Sequence, residues 1–476
     1  MLKSASPSFA ASLRSVLPES VFGEIQPRHR DEPRGHMRGK AGVLLLPSST
    51  EQIAEIVRRA AAARVGIVPF GGGTGLVGGQ VLPSGPDPVI LSMERYARIR
   101  EVDLDDGVLV TDAGAILADV QSAASDAGRI FPLSMASEGS CQIGGNLATN
   151  AGGMQVVRYG TARDLCLGLE AVLPDGSVFD GLHRLRKNNT GYDLKNLLIG
   201  SEGSLGVITS AVLRVDIPPG DSMSVLASIS SPADAVDLFR KAKERLGNAV
   251  AVFELIRGTG FDFLREVRPD VRLPLPDSDW LVLAEFGDVT GSDLQGRIEG
   301  LMFAEIEAGR IVDAVVAQSI AQQHELRSLR EMIPEANRLV GAIASHDISV
   351  PISRVSEFIE KGMEVSELFG PLRINCFGHV GDGNLHFNVF PPHGCGPEEL
   401  AVLRESREAI SEYIHELAYR CHGSFSAEHG IGRLKANELR RYGNPAGVEA
   451  MKKIKASLDP FGIMNPGAVL PPPLQD

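Results

Sequence analysis

Residues 71–79 read GGGTGLVGG, and no other stretch narrows the fold as much. The run follows VGIVPF (65–70), a short apolar segment that predicts a strand. A loop nearly free of side chains lets backbone N–H groups approach a phosphate closely and aims several of them at one anion. The spacing does not suit a GxGxxG loop opening a long helix, and no lysine follows as in GxxxxGK[ST]. Two further small-residue segments come later, GGNLATNAGG (144–153) and NNTGYDLKNLLIGSEGSLGVIT (188–209). Turns alone do not account for three such segments in one region. A large planar ligand lying against the backbone does.

The pattern around these loops is an alternation of short strands and helices. STEQIAEIVRRAAAAR (49–64) predicts a helix capped by Ser48 or Ser49, with Glu51 early in it. PVILSMERY (88–96) predicts a strand. EVDLDDGVLVTDAGA (101–115) and LGLEAVLPDGSVFDG (167–181) predict hairpins turning at Asp106-Gly107 and Asp175-Gly176. ILADVQSAASDAG (116–128) predicts a helix ending at glycine, and GSLGVITSAVLRV (203–215) a turn and strand. This is α+β texture rather than the regular βαβ of a doubly wound sheet. A boundary falls near IPPGDS (217–222), and a second α+β region follows. ADAVDLFRKAKERLG (233–247), GSDLQGRIEGLMFAEIEAG (291–309), HELRSLREMIPEAN (324–337), RVSEFIEKGMEVSELFG (354–370) and a segment around 398–421 read as helices. SVLASIS, AVAVFELI, WLVLAEFG and LRINCFGHV read as strands. The expected organisation is an N-terminal helical segment (1–36), a ligand-binding domain (37–217), a second α+β domain (218–440) and a C-terminal segment (441–476).

Composition removes several function classes. A net charge of −13 argues against the basic surface that nucleic-acid binding requires. The five cysteines include no CxxC pair, which argues against a disulfide framework or a cysteine-held zinc or iron–sulfur site. A reducing, cytoplasmic location is the expectation. No apolar run approaches the ~18 residues that a transmembrane helix needs. The first twenty residues lack the continuous apolar core of a signal peptide.

Histidine and carboxylate are concentrated near the C-terminal end. CFGHVGDGNLHF (376–387) carries His379 and His386 across a GDG turn, and SAEHGIG (426–432) carries Glu428 and His429. LHFNVF (385–390) alternates like a strand, placing His386 and Asn388 on one face and Leu385, Phe387 and Val389 on the other. A lone strand histidine is more often a structural hydrogen bonder than a ligand. Two imidazoles with a carboxylate, however, suit zinc or another divalent first-row metal. Such a metal lowers the pKa of a bound hydroxyl, and His429, beside Glu428, is the candidate base.

Taken together, PFGGGTGLVGG, GSCQIGGNLATNAGGMQVVRYGT, NNTGYDLKNLLIGSEGSLGVIT and LDPFGIMNPG resemble flavoproteins of the vanillyl-alcohol oxidase type. CFGHVGDGNLHF and SAEHGIG narrow the resemblance to FAD-dependent D-2-hydroxyacid dehydrogenases, the group of D-lactate dehydrogenase, the glycolate oxidase flavin subunit and D-2-hydroxyglutarate dehydrogenase. The resemblance spans roughly residues 37–470. It implies an α+β fold: a two-part FAD-binding domain, a substrate (cap) domain with an antiparallel sheet, and a C-terminal helical segment returning to the FAD. It implies that Gly71, Gly72, Gly73, Thr74 and Gly75 hold the FAD pyrophosphate with Gly78 nearby. Ser137, Gly139, Gly144, Gly145, Thr149, Ala151 and Gly152 would line the cofactor, Gly206 and Ile208 its adenosine side, and Asn465 would come from the C-terminal segment. The first loop has no histidine, so the FAD is expected to be non-covalent. The family's metal ligands map to His379, His386 and Glu428, and its substrate-carboxylate arginine, in an LRE string, to Arg330. Asn388 and Lys435 join the expected substrate residues.

One departure bears on the substrate. Where D-2-hydroxyglutarate dehydrogenases carry a lysine for the distal carboxylate, ASHDISVP has Ser345, and a threonine of the family is replaced by Pro334. D-lactate and D-malate therefore stand beside D-2-hydroxyglutarate as substrates of an oxidation that sends hydride from C2 to flavin N5. The electron acceptor is left as an electron-transfer flavoprotein, a quinone or a cytochrome, and a homodimer is open. The competing classes are a metal-dependent hydrolase, which leaves the glycine segments unexplained, and a flavin subunit of a multi-subunit glycolate oxidase-like complex.

Overall fold

A computed structural model describes residues 1–275 and 278–471. The chain forms two compact units. The first comprises Met1–Gly153, Gly160–Pro218 and Glu428–Asp476; the second comprises Met154–Tyr159 and Pro219–Ala427.

The first unit holds two sheets. Strands β1 (Phe22–Gly23), β2 (Val43–Leu45), β3 (Ile67–Phe70) and β4 (Val89–Ser92) form one, in the order β1-β2-β4-β3. β2, β4 and β3 run parallel; β2 and β4 are buried at every residue, and all of these are apolar except Ser92, as parallel strands covered on both faces require. The crossover from β2 to β3 is the helix Thr50–Ala63. Ser49 caps it by accepting from Gln52 N–H, and the helix ends where Arg64 turns left-handed. The edge of β3 is completed by the C-terminal segment: Ile67 N–H donates to Ile463 O (2.7 Å), and Asn465 N–H donates to Ile67 O (2.8 Å). The second sheet contains β5 (Ile99–Asp103), β6 (Val108–Asp112), β7 (Cys166–Val172), β8 (Val178–Gly181) and β9 (Val207–Arg214), in the antiparallel order β5-β6-β9-β7-β8. Both expected hairpins are present in it. An N-terminal helix, Pro7–Arg14, buries Phe9, Ala10 and Leu13.

The second unit is built on seven antiparallel strands: β10 (Asp221–Ile229), β11 (Val250–Arg257), β12 (Trp280–Asp288), β13 (Ile311–Val316), β14 (Ala344–Ser349), β15 (Arg373–His379) and β16 (Asn384–Phe390). Their order is β13-β10-β12-β11-β15-β16-β14. One face packs the main core, where Leu385, Phe387 and Val389 meet the helices Pro232–Leu246, Leu294–Glu307, Val355–Met363 and Arg407–Arg420. The other face is covered in part by a smaller cluster under the helices Gly258–Val267, Ile320–Glu331 and Ile333–Val340. Three segments expected as single helices are divided. HELRSLREMIPEAN breaks at Met332, because Pro334 can only enter a helix in its first turn. The segment around 398–421 is two helices, Pro397–Glu405 and Arg407–Arg420, and RVSEFIEKGMEVSELFG splits after Met363.

Candidate active site

In the first unit the loop Gly71–Gly75 leaves the C-terminal end of β3. It packs so tightly on residues 140–141 that a Cβ at Gly72 would collide with the Ser140 carbonyl oxygen. The Cβ sides of Gly139 and Gly145, in contrast, face open space. Gly71 looks toward Gln142, whose Oε1 would lie 3.6 Å from a Cβ there. Gln142 Oε1 and Asn146 Oδ1 are buried and have no hydrogen-bond donor among the described residues. Leaving two amide oxygens unsatisfied is costly unless a ligand supplies the donors. FAD carries such donors on its flavin, ribityl and adenosine parts, so the residues present fit this cofactor. Ser137, Thr149, Ala151 and Gly152 belong to the same stretch, with Thr149 bonded to Gly145 O. Gly144 lies against Ala113, Gly206 immediately precedes β9 against the Val172 carbonyl, and Ile208 in β9 lies opposite Ala171.

Asn465 is a tie rather than an open side chain. Its amide donates to Gly79 O (3.0 Å) and Glu202 O (2.7 Å), and its oxygen accepts from Arg433 (2.7 Å). Arg433 also reaches Gly78 O and Gly79 O. Glu202 accepts from the N–H groups of Ile431 (2.7 Å) and Gly432 (2.8 Å). Burial pushes its carboxyl above the usual range, against those N–H groups and the nearby Arg433 and Lys435. Sequence reasoning missed Glu202, Gln142 and Asn146. The available signal was a polar side chain in an otherwise small or apolar loop.

In the second unit the sheet face opposite the main core carries a polar row set by strand register. Glu254 on β11 lies opposite His379 on β15. Phe377 on β15 and Asp347 on β14 lie opposite His386 on β16, and Asn388 lies between Asn375 and Ser345. The β15–β16 hairpin brings the two histidines together with ring centroids 5.7 Å apart. Its turn needs Gly383, where φ is +81° and a Cβ would strike the Val350 carbonyl. His379 is 5% exposed, and its Nδ1 meets Glu254 Oε1 in a short hydrogen bond. His386 Nδ1 lies 3.8 Å from Asp347 Oδ1, which accepts from Asn384 (2.9 Å).

Arg330 is not a solvated helix arginine. It is 6% exposed, donates through Nε to Glu254 Oε2 (2.7 Å), and its guanidinium lies 4.7 Å from the Phe377 ring centroid. One turn earlier Arg327 pairs with Glu285 (2.8 Å). Burial pushes the Glu254 carboxyl up, but His379 and Arg330 outweigh it and hold the group below the usual range. Ser345 is exposed at the sheet edge, and the Asn388 amide donates to His386 O (3.3 Å). Glu254 and Asp347 were not anticipated from sequence. Each is a lone acid inside a strand, and the partners that give it a role are distant in the chain.

The chain leaves this unit along β14. Ser424 bridges Ser349, and Ala427 N–H donates to Asp347 O (3.3 Å). Glu428 is the next residue. His429 and Lys435 follow in the first unit's returning segment, both half-buried. His379, His386 and Glu428 each offer one donor atom, two imidazoles and a carboxylate, a set whose chemistry suits zinc.

The family model for the C-terminal domain of FAD linked oxidases matches residues 218–469, and the model for the FAD binding domain matches residues 41–181. A protein named probable D-2-hydroxyglutarate dehydrogenase, mitochondrial, from Oryza sativa subsp. indica is 37% identical over 444 residues, 92% of this chain and 76% of the relative. The Bos taurus protein named D-2-hydroxyglutarate dehydrogenase, mitochondrial, is 36% identical over 469 residues, 97% of this chain and 83% of its own. Among solved structures, p-cresol methylhydroxylase with substrate bound superimposes with a TM-score of 0.74 at 14% identity, covering 98% of this chain and 96% of that one. The expected α+β, vanillyl-alcohol oxidase-type fold is borne out. No helix among the described residues is long and apolar enough to cross a membrane.

Proposed function

Because this chain belongs to the FAD-linked oxidase family and is an FAD-dependent dehydrogenase of D-2-hydroxyacids, we propose that it oxidises D-2-hydroxyglutarate to the 2-oxoacid and passes the electrons to an external acceptor. The observation that carries the proposal is the polar row of the second unit, where one buried carboxylate, Glu254, joins His379 to Arg330 beside His386.

When bound, FAD supplies the hydride acceptor and a divalent metal, best zinc, supplies a Lewis acid for the substrate hydroxyl. His379, His386 and Glu428 would hold the metal. Gly71–Gly75, Gly78, the 137–152 stretch, Gly206 and Ile208 would hold the FAD. Arg330 binds the carboxylate next to C2, with Nε occupied by Glu254 and its terminal nitrogens directed to the substrate. Asn388 holds the acid's side chain from the neighbouring strand, and Lys435 adds positive potential. His429 takes the hydroxyl proton as hydride leaves C2.

Relatives named for D-2-hydroxyglutarate support that substrate. D-malate or D-lactate is the second reading, favoured by the short Ser345 opposite Asn388. Without cysteine clusters electrons leave from FAD itself, to an electron-transfer flavoprotein, a quinone or a cytochrome. All five cysteines are free thiols, which suits a reducing compartment such as the cytoplasm.

The test is an anaerobic titration of the purified yellow protein with D-2-hydroxyglutarate, D-malate, D-lactate and L-lactate. Bleaching of the flavin band by D-2-hydroxyglutarate at the lowest concentration supports the proposal. Bleaching by D-lactate alone moves the substrate to the second reading, and an oxidised flavin that no acid reduces rejects both.

A further inference from the structure

We propose that Glu254 is a positioning residue that makes metal binding and substrate-carboxylate binding depend on each other; this rests on the metal reading above. Glu254 sits in mid-strand in β11 between Phe253 and Leu255, whose side chains are buried in the main core, and it is 0% exposed itself. An ionised carboxylate in such a place persists only with full pairing. Both its oxygens are used: Oε1 by His379 Nδ1 and Oε2 by Arg330 Nε at 2.7 Å.

Each contact sets a different function. With hydrogen on Nδ1 facing Glu254, the His379 lone pair lies on Nε2, the tautomer that a metal needs. With Nε held by Glu254 and the guanidinium over Phe377, the Arg330 terminal nitrogens are fixed as a planar fork for a carboxylate. The same helix supplies a built-in control. Arg327 pairs with Glu285 on β12, an arginine–carboxylate pair that does not include Glu254.

A glutamine at 254 has one acceptor oxygen and one donor nitrogen, so it can accept from His379 Nδ1–H or from Arg330 Nε–H but not from both. The experiment measures zinc affinity of the purified flavoprotein by chelator competition, without substrate, and KM and kcat for the best acid. E254Q is expected to weaken zinc binding about 10–100-fold and to raise KM, while E285Q leaves both near wild type. E254D, with two acceptor oxygens, should recover part of the zinc affinity. The decisive variant is E254Q combined with R330M. With the arginine gone, the amide oxygen is released to His379, so zinc affinity should return toward wild type while KM stays high. That double variant also removes the ion pair as a unit, so the test survives poor folding of E254Q. Zinc affinity in E254Q equal to that of E285Q, or no recovery in the double variant, overturns the inference and leaves the metal reading standing. A wild-type flavoprotein that binds no zinc overturns both.

Discussion

Arg433 donates to the side-chain oxygen of Asn465 at 2.7 Å, and the Asn465 amide in turn donates to Gly79 and Glu202. Three segments, far apart in the chain, are held by one asparagine. Burial lowers the Arg433 pKa to about 10, so it stays charged at neutral pH. N465A should cost about 1–3 kcal/mol of stability through lost buried hydrogen bonds and reduce FAD retention after gel filtration. An unchanged melting temperature with full flavin content would count against this role.

Two glycines of the first unit should respond differently to alanine. At Gly72 the new methyl meets the Ser140 backbone, so G72A should destabilise the apoprotein. At Gly145 it meets open space, so G145A should keep the apoprotein melting temperature and weaken only FAD affinity, by tenfold or more as an order of magnitude. Thermal melts and FAD titration of both apoproteins separate these outcomes.

Metal removal has a distinct signature. Exhaustive chelation, or H386A, should leave the flavin absorbance intact and lower kcat/KM for the D-acid by about 100-fold or more, since Lewis-acid stabilisation supplies several kcal/mol. Zinc should restore the chelated wild type and not H386A. Full activity in metal-free protein would reject the metal.

Ser345 offers a gain-of-function test. S345K places a cation at the exposed sheet edge opposite Asn388. It should lower KM for D-2-hydroxyglutarate about tenfold, the worth of one modest charge-assisted contact, and leave D-lactate unchanged. Equal effects on the two acids would mean that position 345 does not meet the second carboxylate.

Glu305 gives a pH test of the second unit's core. It is 2% exposed and accepts from Lys241 (2.9 Å). Burial raises its pKa, but the Arg310 and Lys241 bonds prevail and the net shift is downward. A carboxyl lowered in the folded state stabilises above its unfolded pKa, and that stability is lost as pH falls through the folded value. E305Q should therefore destabilise by about 1.5–3 kcal/mol at pH 7, with the gap closing below about pH 4. A gap that is constant with pH would mean the carboxylate charge is not what stabilises.

Local patterns made much of this legible. LHFNVF declared its two faces, and β16 buries Leu385, Phe387 and Val389 as that alternation requires. The DG turns marked both hairpins, and the glycine segments marked the cofactor domain. β14 was not legible, because ASHDIS is a short edge strand with polar residues at four of its six positions. Nor was the pairing of Glu254, since His379 lies 125 residues away and strand order is not written in local sequence. The helix break after Met332 was readable from Pro334, but the flanking apolar spacing continues across it.

The edge of β3 is completed by Ile463 and Asn465, almost 400 residues later. A ribosome adding about 5–20 residues per second needs roughly 20–80 s to make that stretch. Throughout that time the nascent first unit presents an open strand edge beside its glycine loop, a surface that invites mispairing and chaperone capture. The residues that close this edge include Asn465, so pairing β3 and tying Gly79 to Glu202 are one event rather than two.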